Sequence, residues 1–539
     1  MRNILKLNGI WELGFADAMP EGRRLAPDVK YTEPAVVPGC FDVVVPHFGK
    51  RTVAVYRRKV SAEGKVKLNI DGVGLAAKVY WDGKLVGKCP YAYMPESFIF
   101  NAGKRGEHEL VIAVDNNFNN ICFCFYDFYL YGGIYGDVTL EELPQDEFIR
   151  DWKISTVDYR CGKVKLEITT DSPQREKVSI AFDNGRYMEF PAPGGRAELE
   201  LNVPEFKLWS PDSPALHNLK IAAGNDEVSG YFGIREIKAE GTKLFLNGKE
   251  LFLMGYNRHE SHPQHGAAMP GNLIYADLKL IKEQGCNFIR GSHYPQRRTT
   301  LELCDRLGLL VWEETLGWDV KPPEIFRPRF LKQQIDQIHK LCAASFNHPC
   351  IIIRGFLNET ESQLPRMRPI IAKLIQECKA ADPTRLVTYS SNKYERDICM
   401  DLVDIVAMNP YPGWVHIGKD HIKDIDVIRP TLDKLKQAIP ADKPYMLSEI
   451  GAGAQYGFRD PYGARWSEEY QAELLTEVCD IVFNDPRYCG LCIWQYCNAK
   501  SYLSGTRPNG FNDKGVRDEF RRPKLAWDAL SKCIKELGR

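Results

Sequence analysis

Two apolar segments of the chain each carry a glutamate at their end, and glutamate can act as an acid, a base or a nucleophile. The first segment runs from Ile351 to Glu359, and the second runs from Tyr445 to Gly451 and contains Glu449. In a parallel barrel, buried apolar strands bring their last residues to one face, where active sites lie. Two carboxylates at such a face are the minimum equipment for cleaving a glycosidic bond. These two glutamates are therefore the first candidates for catalysis.

Apolar strands alternate with helical patterns from about residue 245 onward. Eight alternations predict a (β/α)8 TIM barrel, in which Glu359 ends the fourth strand and Glu449 ends the seventh. The predicted strands are 251–257, 288–294, 309–315, 351–359, 386–391, 405–411, 445–451 and 490–496.

Short β-rich runs separated by turn residues fill the part of the chain before the barrel. Their alternation predicts a jelly-roll β-sandwich over residues 1–143 and an immunoglobulin-like β-sandwich over residues 144–240. The catalytic barrel is then expected over residues 241–539. The fold class predicted from the sequence is thus a multidomain protein of α and β structure.

The composition excludes several classes of function. The 539 residues include 71 Lys and Arg and 71 Asp and Glu, so the sequence predicts neither a nucleic-acid partner nor an anionic membrane partner. No run approaches the roughly 20 apolar residues that span a bilayer, and the first 20 residues do not resemble a signal peptide. We therefore expect a cytoplasmic protein with free thiols, several of them packed in the core. We predict no metal site, because His262 and His265 are interpreted as loop residues and no other ligand set has metal spacing.

Polar or aromatic residues end most of the predicted barrel strands, which indicates a polar pocket because such groups are costly to bury unpaired. Tyr411 is expected to donate a hydrogen bond to Glu449, and Trp414 and Trp494 are suited to stacking on a sugar ring. Glu313, Glu314 and Glu361 are interpreted as helix-cap or surface groups. The other candidates for lining the pocket are His259, His293 and Asn358, although the two histidines are also explained as satisfied core residues.

The two candidate glutamates need different protonation states to cleave a glycoside. Glu359 must donate a proton to the leaving oxygen, which requires a raised pKa from partial burial and a nearby carboxylate. Glu449 must stay ionised to attack the anomeric carbon. This pairing predicts a retaining mechanism, for which the carboxyl groups lie about 5–5.5 Å apart.

The chain resembles glycoside hydrolase family 2, the family of β-galactosidases and β-glucuronidases, over nearly its whole length. NHPCIIIRGFLNETES and KPYMLSEIGA are similar to the family's acid/base and nucleophile signatures, and LFLMGYNRHESHPQHG looks like its first barrel strand. The resemblance implies the three-domain order, Glu359 as the acid/base and Glu449 as the nucleophile. It also implies that the sugar site is lined by Asn358, His259, His293, Tyr411 and Trp494.

Two further segments resemble the β-glucuronidase branch of this family. YDFYLYGGIYGDV is similar to a jelly-roll loop that lends an aspartate to the sugar pocket, which implies Asp127. FNDKGVRDEFRRPK resembles the element that grips a uronic acid carboxylate, which implies Asn512 and Lys514, with Arg507 close by. A lysine and an amide donor form charge-assisted bonds with a carboxylate that a neutral hexose lacks.

Arg354 departs from the family pattern, which usually has tryptophan five residues before the catalytic glutamate. An arginine inside a barrel strand must be paired or must reach the substrate. We expect Arg354 to contact the substrate carboxylate or to reshape the pocket around the sugar's C4 side. This departure leaves the choice between a glucuronide and a galacturonide open.

The sequence predicts a retaining enzyme that removes a terminal β-linked uronic acid, most simply a β-glucuronidase. A β-galacturonidase is the second alternative and a β-galactosidase the third. Outside the enzymes, the alternative is a carbohydrate-binding protein whose barrel has lost activity. The resemblance also implies a homo-oligomer and no organic cofactor.

Overall fold

A computed structural model describes residues 2–19, 29–123, 126–415, 424–503 and 507–536. Its sheets form three successive groups along the chain: two sets of antiparallel sheets and then a closed parallel barrel. This order agrees with the multidomain fold class predicted from the sequence.

The first group is a β-sandwich whose strands alternate between buried and more exposed residues. In the strand Lys65–Ile70, Val66, Leu68 and Ile70 are buried while the residues between them are partly exposed. This alternation is expected where one face of a sheet packs on a core. The strands, in sheet order, are Ile4–Lys6, Val138–Glu142, Lys65–Ile70 and Glu96–Asn101; Tyr31–Val37, Gly9–Ala16, Val53–Ala62, Gly106–Asp115, Ala76–Trp81 and Lys84–Cys89; and Gly39–Cys40, Gly133–Ile134 and Val73–Gly74.

The second group is a smaller sandwich with its own core, which includes Leu166, Ile180 and Ile221. A short three-stranded sheet connects it to the barrel. The strands, again in sheet order, are Ile149–Asp158, Lys163–Thr170 and Arg196–Asn202; Met188–Pro191, Lys177–Phe182, His217–Ala223 and Asp226–Phe232; Trp209–Ser210 and Ser213–Pro214; and, in the connecting sheet, Ile237–Glu240, Lys243–Leu246 and Lys249–Leu251.

The third group is a closed barrel of eight parallel strands, numbered here barrel strands 1 to 8. All its strands are buried along their whole length, as expected when helices cover the outside and side chains fill the inside. The barrel strands are Leu253–Arg258, Phe288–Gly291, Leu310–Glu314, Ile351–Asn358, Leu386–Ser391, Val406–Met408, Tyr445–Ile450 and Tyr488–Ile493.

Helices follow most of the barrel strands. A 3-10 turn, Tyr394–Arg396, stands in place of an α-helix between barrel strands 5 and 6. A short antiparallel pair, Ala499–Lys500 with Phe511–Asn512, follows barrel strand 8. The α-helices within the described residues are α1 Gly271–Glu283, α2 Arg298–Leu307, α3 Pro328–Ser345, α4 Met367–Ala381, α5 Ile428–Gln437, α6 Glu468–Phe483 and α7 Leu525–Glu536.

Each predicted barrel strand overlaps an observed one, in the predicted order. Glu359 directly follows barrel strand 4, and Glu449 lies within barrel strand 7. Cys286, Cys304 and Cys492 are buried in the barrel core, as expected of small apolar side chains. Among the described residues, no helix is long and apolar enough to cross a membrane.

The prediction that Arg354 contacts the substrate is wrong. Arg354 is buried between barrel strand 4 and the outer helices, where it bonds Glu313 at 2.6 Å, Ser345 of α3 at 2.7 Å and Asp382 at 2.9 Å. The interpretation of Glu313 as a cap or surface group is wrong for the same reason, because its carboxylate is buried in this ion pair.

A bulge in barrel strand 4 explains the error. Simple alternation would place residues 354 and 358 on the same face of the strand. The pairing with barrel strand 5 shifts between Gly355 and Asn358, so one extra residue is inserted there. The extra residue turns Asn358 into the barrel and leaves Arg354 facing the helices.

The Arg354 network leads to a stability prediction. Arg354→Met should lower the free energy of unfolding of the barrel by about 3–5 kcal/mol, because Glu313 and Asp382 each lose a buried partner. Arg368→Met is the matched control: its pair with Asp401 is exposed, and its loss should cost at most about 1 kcal/mol. Urea unfolding followed by tryptophan fluorescence measures both changes. Unchanged stability together with selective loss of uronide turnover would instead place Arg354 at the substrate.

Candidate active site

The carboxyl ends of the barrel strands converge on a buried guanidinium, that of Arg290 in barrel strand 2. It donates to Glu449 Oε1 at 2.6 Å, to Asn358 Oδ1 at 2.8 Å and to both Glu314 oxygens at 3.0 Å. The guanidinium carbon also lies 4.7 Å from the centre of the Trp312 ring, inside the barrel. Arg290 thus joins the ends of barrel strands 2, 3, 4 and 7 at one point.

Glu449 and Glu359 are held by different partners. Glu449 also accepts a hydrogen bond from the Tyr411 hydroxyl at 2.9 Å, as predicted from the sequence. Glu359 has a left-handed backbone (φ 52°) and accepts a hydrogen bond from the Asn409 amide at 3.1 Å. Strained backbone of this kind occurs at functional sites, where the surrounding structure holds it in place.

The two glutamates also differ in their electrostatics. Burial and then the charge of Glu449 raise the pKa of Glu359 to about 8. Burial also raises the pKa of Glu449 above its usual value, but Arg290 and the Tyr411 hydrogen bond oppose this rise. A buried carboxyl beside a second carboxylate favours its protonated form, whereas a carboxylate paired with a guanidinium favours the ionised form. The site therefore holds one candidate acid and one candidate nucleophile.

Glu314 belongs to this cluster, so its interpretation as a cap or surface group is wrong. It is buried, and burial raises its pKa to about 7 against the opposing charge of Arg290. It also bonds His293 Nδ1 at 2.7 Å. The only sequence signal for this role was a second glutamate directly after the apolar run of barrel strand 3.

His293 and His259 present opposite hydrogen-bonding groups to the pocket. Burial holds the pKa of each well below its usual value, so both rings are neutral. His293 gives its Nδ1 proton to Glu314, which leaves Nε2 as an acceptor. The Tyr294 hydroxyl accepts from the Glu260 amide and donates to His259 Nδ1, which leaves His259 Nε2 as a donor. These tautomers follow from the hydrogen-bond network.

Three buried polar atoms of the pocket have no hydrogen-bond partner among the described residues: His259 Nε2, His293 Nε2 and Asn358 Nδ2. An unpaired buried polar atom costs about 1–3 kcal/mol. The interpretation of the histidines as satisfied core residues is therefore wrong. Unpaired donors and acceptors in one pocket are suited to a ligand rich in hydroxyl groups.

Trp494 lies in the pocket, whereas Trp414 does not contact this cluster. The Trp494 ring stacks on His293 with centroids 5.1 Å apart and meets the edge of His259. The Trp414 ring instead packs under Arg465, 4.6 Å away, and against Trp466. The Trp414 ring thus packs between the loops that follow barrel strands 6 and 7, and its stacking on a sugar stays a prediction.

Asp127 of the first sandwich reaches the barrel and is surrounded by donors. Its carboxylate accepts from Ser501 at 2.7 Å, from Asn512 at 2.8 Å and from Arg507. The charge of Asp127 also acts on His259 and His293, which places it beside the pocket. Asn512 and Arg507 were both predicted to grip a substrate carboxylate, and both donate to this aspartate.

Lys514 carries the remaining charge of this part of the pocket. Its side chain is almost fully buried, its ammonium lies 5.5 Å from the Tyr411 ring, and no described residue forms a hydrogen bond or ion pair with that ammonium. Burial and then the charge of Arg507 lower the pKa of Lys514 to about 8. Because Arg507 already pairs with Asp127, the lysine is the cation available for an anionic ligand.

Three potential metal ligands lie together in the described part of the chain, namely Asp305, His348 and Cys350. They are bonded to one another: Asp305 accepts from His348 Nδ1 at 2.5 Å and from the Cys350 backbone amide at 3.0 Å. Burial raises the pKa of the Cys350 thiol well above its usual value, which disfavours the thiolate that a metal needs. The set is explained as a structural anchor between α2 and barrel strand 4.

Comparison with known families matches the second sandwich and the barrel. The family model described as glycosyl hydrolases family 2, TIM barrel domain, matches residues 237–533. A second model, described as glycosyl hydrolases family 2, matches residues 148–235. The barrel match alone covers more than half of the chain.

Individual relatives include proteins named for two different sugars. The β-glucuronidase of Rattus norvegicus is 30% identical over 418 residues, which is 74% of this chain and 63% of that protein. A β-galacturonidase from Eisenbergiella tayi, solved with galacturonate, is 32% identical with a TM-score of 0.91 and covers 100% of this chain and 98% of that chain. A Faecalibacterium prausnitzii β-glucuronidase structure is 25% identical with a TM-score of 0.89, covering 99% and 98%. This chain thus spans less than two thirds of the length of the curated rat relative.

The Arg290 cluster leads to a pH-dependent stability prediction. Arg290→Met should lower the melting temperature more at pH 8 than at pH 5. Without the guanidinium, the folded pKa values of Glu314 and Glu449 rise further above their unfolded values, so stability falls as pH rises through them. At pH 5 both carboxyls can be protonated, which removes the buried charge.

Melting curves at the two pH values, each compared with the unaltered protein, measure this difference. Arg429→Met is the matched control, because its pairs with Glu477 and Asp480 are exposed and should show no such dependence. An equal loss at both pH values would contradict the assignment of Arg290 as the group that keeps these carboxylates ionised.

Proposed function

The chain belongs to glycosyl hydrolase family 2, and we propose that it removes terminal β-linked uronic acids by a double displacement through Glu359 and Glu449. The observation that carries this proposal is Lys514, a nearly fully buried side chain whose ammonium has no hydrogen-bond or ion-pair partner among the described residues. A neutral sugar would leave that cation unpaired. A uronic acid brings a carboxylate to it.

The charges around Lys514 support an anionic sugar. Asp127 is paired with Arg507, and Glu449 shares the guanidinium of Arg290 with Glu314. The lowered pKa of Lys514 means that its charged form is disfavoured in the empty pocket. A carboxylate bound to it would restore the charged form through a charge-assisted hydrogen bond. Asn512 lies beside Asp127 and supplies a further amide donor.

In the first proposed step, Glu449 attacks the anomeric carbon of the uronide. A bond forms between its carboxylate oxygen and that carbon, and the bond from the carbon to the aglycone oxygen breaks. Glu359 gives its proton to the departing oxygen. The raised pKa of Glu359 supports this role, since the carboxyl is protonated at neutral pH.

In the second proposed step, water hydrolyses the glycosyl ester on Glu449. Glu359 is now a carboxylate and takes a proton from the water, whose oxygen bonds to the anomeric carbon as Glu449 departs. The configuration is retained because the carbon is inverted twice. Arg290 and Tyr411 support this cycle by bonding the Glu449 carboxylate before attack and after release.

Other residues are suited to orienting the sugar. The unpaired amide of Asn358, which faces the pocket between the two glutamates, is placed to donate to the 2-hydroxyl. His259 Nε2 offers a donor, His293 Nε2 an acceptor, and Trp494 an aromatic face beside them. Asp127 accepts two hydrogen bonds on each carboxylate oxygen, from Ser501, Arg507 and Asn512, which uses its four lone-pair positions. It is therefore suited to holding Arg507 and Asn512 in place beside the sugar.

Two uronides fit this site, and they differ only at C4. The β-glucuronide is the first candidate, on the motifs described above. The β-galacturonide is the second, and the 32% identity to a β-galacturonidase over the whole chain favours it. A β-galactoside and a binding protein without activity are the alternatives that the unpaired lysine and the paired glutamates argue against. A homo-oligomer in the cytoplasm stays a prediction.

A panel of three nitrophenyl substrates tests the proposed sugar. We expect kcat/KM for the β-glucuronide or the β-galacturonide to exceed that for the β-galactoside. Lys514→Met should lower kcat/KM on uronides by roughly 10- to 150-fold, the size of losing a hydrogen bond to a charged group, and should affect the galactoside far less. Lys532→Met, an exposed lysine, is the control.

Three results of this panel would count against the proposal. Galactoside turnover above that of both uronides would contradict the proposed binding of a uronate carboxylate by Lys514. No turnover of any of the three substrates would favour the binding protein. A uniform loss on all three substrates in Lys514→Met would mean that the lysine supports the fold of the pocket rather than the uronate.

The raised pKa of Glu359 leads to a prediction for the pH profile. Activity on a uronide needs Glu359 protonated and Lys514 charged, so kcat/KM should fall on the alkaline side near pH 8, where the pKa values of both groups lie. Activity also needs Glu449 ionised, so kcat/KM should fall on the acidic side through a pKa above that of an ordinary glutamate. Steady-state rates between pH 4 and pH 10 measure both limbs. An alkaline limb far below neutral pH would contradict the assignment of Glu359 as the acid.

A further inference from the structure

A second largely buried lysine, Lys393, lies at the rim of the barrel beside Glu359. Lys393 lies two residues after barrel strand 5, and its side chain is about nine-tenths buried. Its backbone amide donates to Ser391 Oγ at 3.1 Å, and Glu359 bonds the neighbouring Ser390 carbonyl at 2.9 Å. Lys393 therefore belongs to the same rim of the barrel as the candidate acid.

The ammonium of Lys393 has no hydrogen-bond partner among the described residues. Its nearest carboxylate oxygen is Glu361 Oε1, 3.9 Å away. That oxygen already accepts from Lys321 at 2.8 Å, and the other oxygen of Glu361 accepts from Gln363 at 2.6 Å. The three N–H groups of Lys393 are thus left for another acceptor. Burial and then the charge of Lys321 lower the pKa of Lys393, as expected for a cation that lacks a full partner.

Lys393 lies close to the candidate acid. The largest charges that shift the pKa of Lys393 are those of Lys321, Glu361, Asp319 and Glu359, and the charge of Lys393 in turn opposes the raised pKa of Glu359. Both residues are also tied to the end of barrel strand 5, Glu359 through Ser390 and Lys393 through Ser391. Because Glu359 is the proposed proton donor to the departing oxygen, the aglycone leaves beside this end of the strand.

We propose that Lys393 forms an anion-binding subsite for the aglycone, so that preferred substrates carry a negative charge on both sides of the cleaved bond. This inference rests on the proposed function, since it needs Glu359 as the acid. The group recognised would be a carboxylate or a sulfate on the aglycone, as in an acidic oligosaccharide or an acidic phenol. Lys321 is already paired with Asp319 and Glu361, which leaves Lys393 as the charge that such a group would meet.

A matched set of aryl uronides tests this subsite. The sugar is whichever uronide the unaltered protein cleaves, and the aglycones are 3- and 4-carboxyphenol, the corresponding sulfophenols and the neutral carbamoylphenols. The measured quantity is the ratio of kcat/KM for each anionic aglycone to that for its neutral counterpart at one pH. Effects of Lys393 on Glu359 itself are shared by all aglycones and cancel in this ratio.

We expect Lys393→Met to lower this ratio by about tenfold or more for at least one anionic aglycone, the size of losing a hydrogen bond to a charged group. Lys393→Arg should keep most of the preference, because it keeps the charge. Lys434→Met is the matched control: this exposed lysine contacts Glu395 of the turn that follows Lys393, and its loss should leave the ratio unchanged. A larger effect on the carboxylate arm or on the sulfate arm identifies the anion that the subsite takes.

The outcomes separate this inference from the proposed function. If no uronide is cleaved, the proposed function itself fails. If uronides are cleaved but the ratio is the same in Lys393→Met as in the unaltered protein, the aglycone subsite is overturned and the uronidase activity stands. A ratio that falls equally in Lys434→Met would also overturn it, because the effect would then be one of overall charge.

Discussion

The buried guanidinium of Arg290 is the interaction on which the rest of the site depends. It bonds Glu449, Glu314 and Asn358 at once, so the ends of three other barrel strands share one centre of charge. An arginine stays charged even when buried, and its planar set of donors fixes the direction of each partner. The barrel must close before this can happen, because the four strands are neighbours of the pocket only in the closed sheet. Closure of the barrel and ionisation of Glu449 are therefore linked.

Charge pairing around that centre decides which groups remain available to a ligand. Asp127 is matched by Arg507, and Arg290 is shared by Glu449 and Glu314. In the described part of the chain, the ammonium of Lys514 has no hydrogen-bond or ion-pair partner, and that of Lys393 has only Glu361, 3.9 Å away and already bonded to Lys321. An unpaired buried charge is costly, so it persists where a ligand or a function compensates for it. Burial and then the charge of Glu449 raise the pKa of Glu359 to about 8, and the Asn409 hydrogen bond and the charge of Lys393 partly oppose this rise.

Much of this architecture is predictable because it rests on local patterns. Long apolar runs, each followed by polar residues, gave the order and approximate position of the barrel strands, and Glu359, Asn358 and Tyr411 lie where that order placed them. Arg354 shows where counting fails: a one-residue bulge after Gly355 reverses the face on which it lies. The roles of Glu314 and Arg290 in the site were not predicted, because a charged residue in an apolar strand is uninformative until its partners on other strands are known.

Local patterns in the chain were enough to predict the fold class and the two candidate catalytic carboxylates, because strand period, helix period and the residues at strand ends are all local properties. Which charges are already neutralised became visible only in the folded protein. Arg507 and Asn512 looked like donors to a uronate, yet both bond Asp127, about 380 residues earlier in the chain. Whether two charges pair depends on their distance in space. In a buried site of low dielectric such pairing is strong, so it decides whether a charged residue remains available to a ligand. The cations left over, Lys514 and Lys393, could be recognised only after every other charge had been assigned its partner.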